Sequence, residues 1–139
     1  MLVVLDSNVF LSALLSGQGL PARLVDAWRE GRFELATSRE QIEELKRAAS
    51  YAKLRGLIPR SAVGRLVNSL RAAEVLLARL PRAGAAPDPG DDFLLAMAVA
   101  AEADYLVTGD KPLLSLRQFA STRIVTLRRF ATLLDVKAL

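Results

Sequence analysis

The chain has 139 residues, 52% of them hydrophobic, and carries 19 Lys and Arg against 15 Asp and Glu, a formal net charge of +4. It contains no Cys and no His, which excludes disulfides, thiolate zinc sites and histidine as a general base or metal ligand. Because no apolar run approaches the ~18 residues that span a bilayer and the start lacks a basic signal segment, we expect one cytoplasmic domain, residues 1–139, without membrane contact.

Apolar runs and helix-start signals divide the first half of the chain into alternating strands and helices. Leu2–Leu5 is short, continuous and rich in β-branched residues, which is typical of a strand buried on both faces. Ser38 and Gln41 form a capping box that begins a helix. The predicted elements of this half are a strand over 2–5, helices over 9–15 and 20–30, a strand over 33–37, and helices over 39–49 and 60–72.

The second half continues the alternation after an irregular stretch. Residues 73–77 continue the preceding helix or form a third strand, and the strand is the favoured interpretation. Residues 80–90 hold three prolines and two glycines, which indicates a loop. The remaining predicted elements are an alanine-rich buried helix over 93–103, a strand over 105–108, a strand over 124–126 and a helix over 127–134.

Four acids fall where a parallel sheet would bring side chains together. Strands that alternate with helices form parallel sheets, and ligands bind outside the carboxyl ends of the strands. Asp6 and Asp110 each follow a strand, Asp92 opens the helix that feeds the second of these strands, and Glu44 lies on the helix after strand two. Asp6 and Asp92 each have an ordinary alternative role as a helix cap. Together, without His or Cys, the four predict an oxygen-ligand site for Mg²⁺ or Mn²⁺ that supports phosphoryl transfer.

These residues give the chain a resemblance to a known family. The features that carry it are Val4-Leu5-Asp6-Ser7-Asn8-Val9, Glu44-Leu45, Asp92 at the head of an apolar helix, and the stretch from Ala103 to Asp110, eighteen residues beyond Asp92. With them the chain resembles the PIN-domain nucleases, in particular the toxin components of bacterial and archaeal toxin–antitoxin systems. The resemblance covers nearly the whole chain.

The resemblance implies an α/β fold, a three-layer α/β/α sandwich with a central parallel sheet of about five strands, and Mg²⁺- or Mn²⁺-dependent endonucleolytic cleavage of RNA. It also implies a small antitoxin protein that covers the acidic crevice, and a homodimer. The position after Asp92, commonly basic in this subgroup, is Phe93 here. By position, the catalytic and metal-binding acids would be Asp6, Glu44, Asp92 and Asp110, with Asp6 and Asp92 as direct ligands and with Ser7, Asn8, Thr108 and Asp91 supporting them.

Basic residues near these acids are candidates for contacts with the RNA backbone. The densest cationic stretch lies between residues 46 and 60, although the same pattern is typical of a solvated helix face. We expect few exposed aromatic side chains, so base stacking is not indicated by the sequence. The candidates for backbone contacts are Lys46, Arg47, Lys53 and Lys111.

Three other functional classes compete with a nuclease. A catalytically inactive PIN-like module would bind RNA or a protein without cutting, but all four acids are present. A receiver-type signalling domain also gathers acids around Mg²⁺, yet it needs a phospho-acceptor Asp at the end of its middle strand, and strand two ends without an acid. A related phosphatase needs Asp-x-Asp, whereas this chain has Asp6-Ser7-Asn8.

Overall fold

The computed structural model describes residues 1–80 and 92–135, and of Leu54 and Asp92 it describes the backbone only. The stretch 81–91, which contains Asp91, lies outside the described residues. Six strands and seven helices are found in the described part. They are β1 (Leu2–Leu5), α1 (Ser7–Leu15), α2 (Leu20–Arg29), β2 (Glu34–Ser38), α3 (Arg39–Leu54), α4 (Arg60–Arg71), β3 (Val75–Leu77), α5 (Asp92–Ala101), β4 (Tyr105–Val107), α6 (Lys111–Leu116), β5 (Gln118–Phe119), β6 (Thr122–Val125) and α7 (Leu127–Leu134).

The strands form a single sheet whose order is β3-β2-β1-β4-β6-β5. All neighbours are parallel except β5 and β6, which pair antiparallel. From β1 the chain builds outward through β2 and β3, and it then returns to the other side of β1 to lay down β4. The boundary between β1 and β4 is therefore the topological switch point, and a parallel sheet opens a crevice there at the carboxyl ends of its strands.

Alternating side chains of the strands bury two separate cores. Val3, Leu5 and Val107 pack with α1, α2, α3, α4 and α7 on one face. Val4 and Leu106 pack with α5 and α6 on the other. This is a three-layer α/β/α architecture, so the predicted fold class is confirmed. No described helix is both long and apolar enough to cross a membrane.

The third helix is longer than predicted. It continues five residues beyond position 49, to Leu54, and the turn that ends it contains Gly56 at φ +71°. Residues 50–54 contain no Gly or Pro, so nothing in them stops a helix, whereas a left-handed residue just beyond the end is a common helix stop. The extension carries Tyr51 and Lys53 onto α3.

Two short elements near the end of the chain were not predicted. Asp110 caps α6, since its Oδ2 accepts a hydrogen bond from the Leu113 amide at 3.0 Å. β5 pairs with β6, which begins at Thr122, two residues earlier than predicted. Helices and strands this short present too few residues for a periodic pattern, so the sequence predicted a sheet of about five strands where the described chain has six.

Candidate active site

Polar side chains are buried together at the carboxyl ends of β1, β2 and β4. Burying a polar group is costly unless it is hydrogen-bonded. Every buried side-chain nitrogen and oxygen in the described part of the chain has a partner. The cluster therefore forms a satisfied and rigid network beneath the crevice at the switch point. Its members are Asp6, Ser7, Thr37, Ser38, Gln41 and Thr108.

Asp6 lies at the centre of this edge and is only 6% exposed. Its backbone N–H donates to the carbonyl of Val107 at 2.9 Å, which ties it to the end of β4. Its Oδ1 accepts from the amide of Asn8 at 3.1 Å and caps α1, and its Oδ2 accepts from the hydroxyl of Thr108 at 2.7 Å. Asn8 contributes this amide while its side chain is exposed. Asp6 is thus both a helix cap and a carboxylate fixed in orientation by two donors.

Thr108 connects Asp6 to Asp110. Its hydroxyl donates to Asp6 and accepts from the backbone amide of Asp110 at 3.0 Å. The Asp110 side chain bonds to the first turn of its own helix through Oδ2. The structure therefore brings Asp110 to the same edge as Asp6 through one hydroxyl.

Glu44 reaches this edge from α3. It is half-buried, and burial, followed by the neighbouring Asp6 carboxylate, raises its pKa above the usual carboxyl range. A hydrogen bond from Ser7 and the charge of Arg47 lower the same pKa, but by less. The two predicted acids Asp6 and Glu44 are brought together, and the charge of Arg47 does not cancel the rise in the pKa of Glu44.

Gln41 is a site residue whose role the sequence did not reveal. A capping box predicts that its side chain turns back to the start of its own helix. Half of the box is present, since the Ser38 hydroxyl accepts from the Gln41 amide at 3.0 Å. The Gln41 side chain instead donates from Nε2 to the carbonyl of Leu5 at 2.7 Å and to Ser7 Oγ at 3.3 Å, and its Oε1 accepts from Thr37 at 2.5 Å. The only signal for this was a glutamine one turn before Glu44.

The raised pKa of Glu44 predicts a pH-dependent stability of the metal-free protein. Its folded-state pKa exceeds its unfolded value, so the stabilisation from protonated Glu44 is fully present below the unfolded pKa and is lost as pH rises through the folded pKa. We expect Glu44→Gln to remove this loss of stability with rising pH. The measurement is the melting temperature of both proteins in EDTA between about pH 4 and pH 7. Glu43→Gln is the matched control on the same helix, because Glu43 is exposed and faces Lys46 at 3.5 Å. If the melting temperature of Glu44→Gln depends on pH in the same way as that of the wild type, the prediction is wrong.

The fourth predicted acid begins α5. α5 ends at Ala101, shortly before β4 starts, and its ten residues span about 15 Å. This length carries the backbone of Asp92 back toward the carboxyl edge of the sheet. Among acids whose side chains are described, no three stand close enough together to hold a metal ion. Asp6 and Glu44, whose charges interact, are oxygen donors in partly buried surroundings, which fits Mg²⁺ or Mn²⁺.

The four candidate RNA contacts do not share one surface. Arg47 follows Glu44 by three residues and lies on the same side of α3. Lys46 and Lys53 follow it by two and nine residues, which at 100° per residue places them on the opposite side of the helix. Lys111 is exposed at the start of α6, next to Asp110. Their contact with RNA stays a prediction, and helix geometry favours Arg47 among those on α3.

Comparisons with known proteins identify the family of the chain. The sequence profile described as "PIN domain" matches residues 2–112, a range that includes all four predicted acids. An uncharacterized protein of Methanocaldococcus jannaschii, MJ1680, is 28% identical over 116 residues, which cover 83% of this chain and 74% of that protein. No solved structure matches the chain. Since the profile extends from β1 into α6 and so spans the whole crevice, the chain belongs to the PIN domain family, whose members are generally nucleases.

Proposed function

We propose that this protein is an endoribonuclease that depends on Mg²⁺ or Mn²⁺ and cleaves RNA phosphodiester bonds in the crevice between β1 and β4. The observation that carries the proposal is the approach of Glu44 to the fixed, buried Asp6 at the switch point. The charge of Asp6 adds to burial in raising the pKa of Glu44, and a cation bound at this edge would relieve the repulsion between the two carboxylates. Under this proposal Asp6 and Asp92 would hold the cation, and Asp110 would complete the acidic edge.

The side chains would divide the work as follows. A divalent cation supplies polarisation of the scissile phosphate and a bound water of lowered pKa. The Asp6 carboxylate is held in one orientation by Asn8 and Thr108, so it would bind the cation without first having to reorient. Glu44 would orient the attacking water and accept its proton, because a raised pKa brings a carboxylate closer to the working pH of a general base. Asp110 is the weaker candidate for this role, since one of its oxygens caps α6.

Cleavage of RNA that depends on added metal is the direct test. We expect purified protein to cut labelled single-stranded and hairpin RNA internally in Mg²⁺ or Mn²⁺ and to stop in EDTA, as the oxygen donor set requires. The readout is the pattern of products on a denaturing gel, and re-addition of metal after EDTA should restore cutting. Equal cutting in EDTA would overturn the metal-dependent mechanism. Binding of RNA without cleavage in either metal would support an inactive RNA-binding module instead.

The biological setting is also proposed from the family resemblance. We propose a cytoplasmic toxin component whose acidic crevice is covered by a small antitoxin protein, because a free ribonuclease would damage its own cell. We further propose a homodimer, and sedimentation that shows a monomer at working concentration would reject it. Co-purification of a small protein that inhibits cleavage would support the antitoxin.

A further inference from the structure

We propose that one face of α3 is a track for single-stranded RNA leading away from the acids, with Tyr51 as a base-stacking platform and Arg47 and Arg55 as phosphate contacts. This inference rests on the proposed function, because it names where the substrate would lie next to Glu44. The track is defined by Arg47, Tyr51 and Arg55 at the end of α3.

Helical spacing places these residues in line with Glu44. Tyr51 follows Glu44 by seven residues and Arg55, which caps the end of α3, by eleven, and both intervals are close to whole turns of 3.6 residues. At 1.5 Å per residue, Tyr51 lies about 10 Å and Arg55 about 16 Å along the axis from Glu44. An RNA strand whose phosphate is positioned at the acids would therefore pass Arg47 first and Tyr51 next.

Tyr51 is exposed and contacts the Arg55 guanidinium. Its side chain is 66% exposed, whereas few exposed aromatic side chains were expected from the sequence. The guanidinium carbon of Arg55 lies 5.8 Å from the Tyr51 ring centroid, and Arg55 Nη1 donates to the Tyr51 hydroxyl at 3.3 Å. A ligand that covers this exposed ring removes apolar surface from water. A nucleobase can stack on the ring while the neighbouring phosphate contacts the Arg55 guanidinium.

The charge of this segment favours RNA over a protein partner. Residues 45–55 contain four cations and no acid. Tyr51 lies between Arg47 and Arg55, each four residues away on the same face of the helix, whereas the centres of protein interfaces are depleted of charge. A polyanion that also carries flat aromatic groups complements both properties of the surface.

Binding in EDTA tests the track separately from cleavage. The probe is a fluorescein-labelled single-stranded RNA of about ten nucleotides, read by anisotropy. We expect Tyr51→Ala to raise the Kd roughly 5- to 100-fold, the loss typical of one stacked base, and Tyr51→Phe to bind nearly as wild type. Tyr51 is exposed, so neither change should alter the melting temperature.

The matched pair Arg55→Ala and Lys53→Ala controls for charge. Each variant removes one positive charge, but only Arg55 lies on the side of Glu44. We expect Arg55→Ala to lower the slope of log Kd against log salt by about 0.7, and Lys53→Ala to leave it unchanged. Equal effects of the two variants would overturn the track.

Three other outcomes bear on the track. If the wild type binds the RNA and Tyr51→Ala binds it equally well, the track is wrong, while the proposed nuclease is unaffected. If Tyr51→Ala leaves RNA affinity unchanged but converts a dimer to a monomer in sedimentation, the surface binds a second copy of the chain and the inference is wrong. Failure of the wild type to bind single-stranded RNA in EDTA would overturn the track, whereas the proposed nuclease is overturned only by the cleavage assay in Mg²⁺ or Mn²⁺.

Discussion

Asp6→Asn is expected to reduce RNA cleavage by more than about 100-fold, the loss that even a residue supporting a metal ligand can cause. The reason is geometric and electrostatic. Asp6 lies 6% exposed at the switch point, beside Glu44, with both oxygens oriented by donors. Asparagine keeps the shape and one acceptor oxygen, but it has no charge to offer a cation. The rate should be measured under single-turnover conditions with saturating protein.

The same substitution should leave the fold nearly intact. Asn caps a helix about as well as Asp, but its single oxygen cannot accept from both the Asn8 amide and the buried Thr108 hydroxyl, so we expect a loss of about 1–3 kcal/mol in urea unfolding. Asp104→Asn is the matched control, since Asp104 is exposed and its Oδ2 accepts from the Leu2 amide at 2.8 Å, at the opposite ends of β1 and β4. It should cleave as wild type. If Asp6→Asn cleaved at the wild-type rate, the location of the active site would be wrong.

Gln41→Leu is expected to cost about 2–4 kcal/mol of unfolding free energy and to slow cleavage about 10- to 100-fold. The leucine fills similar space but leaves the Leu5 carbonyl, the Ser7 hydroxyl and the Thr37 hydroxyl without their buried partner. Leu5 and Ser7 flank Asp6, so the loss loosens the turn that aims its carboxylate. Urea unfolding measures the first effect, and single-turnover cleavage under conditions where the variant is folded measures the second.

A second glutamine provides the control for this effect. Gln118 is exposed and its Nε2 donates to the nearby carbonyl of Ala120 at 3.0 Å. Gln118→Leu makes the same chemical change away from the crevice and should stay within about 0.5 kcal/mol of wild type. Loss of stability in Gln41→Leu with an undiminished cleavage rate would show that Gln41 supports the fold but does not position Asp6.

Much of the architecture was readable from the sequence because it follows from strong local patterns. β1 is a continuous apolar run, and α7 was predicted with its observed bounds, Leu127–Leu134. The strand at Val75–Leu77 was confirmed over its helical alternative, and it pairs in parallel with β2. The convergence of Asp6 and Glu44 also followed, since a parallel sheet places the residues after its strands at one edge.

The rest depended on distances between residues far apart in the chain. The capping box located the start of α3, but the role of Gln41 depends on its contact with the Leu5 carbonyl, thirty-six residues earlier. Thr108 meets Asp6 across 102 residues, and sequence spacing does not report such a bond. The exposure of Tyr51 depended on α3 continuing past position 49, where no capping signal marked the end.

The two faces of the sheet are unequally covered, by five of the described helices on one side and two on the other. The thinner layer is nevertheless tightly packed, since residues 94–98 of α5 are at most 2% exposed. Asp6 and Glu44 belong to elements of the thicker layer, whereas Asp92 begins a helix of the thinner one. A cation held by both Asp6 and Asp92 would therefore join the two layers at the carboxyl edge of the sheet, so that filling the site would also hold α5 against the sheet.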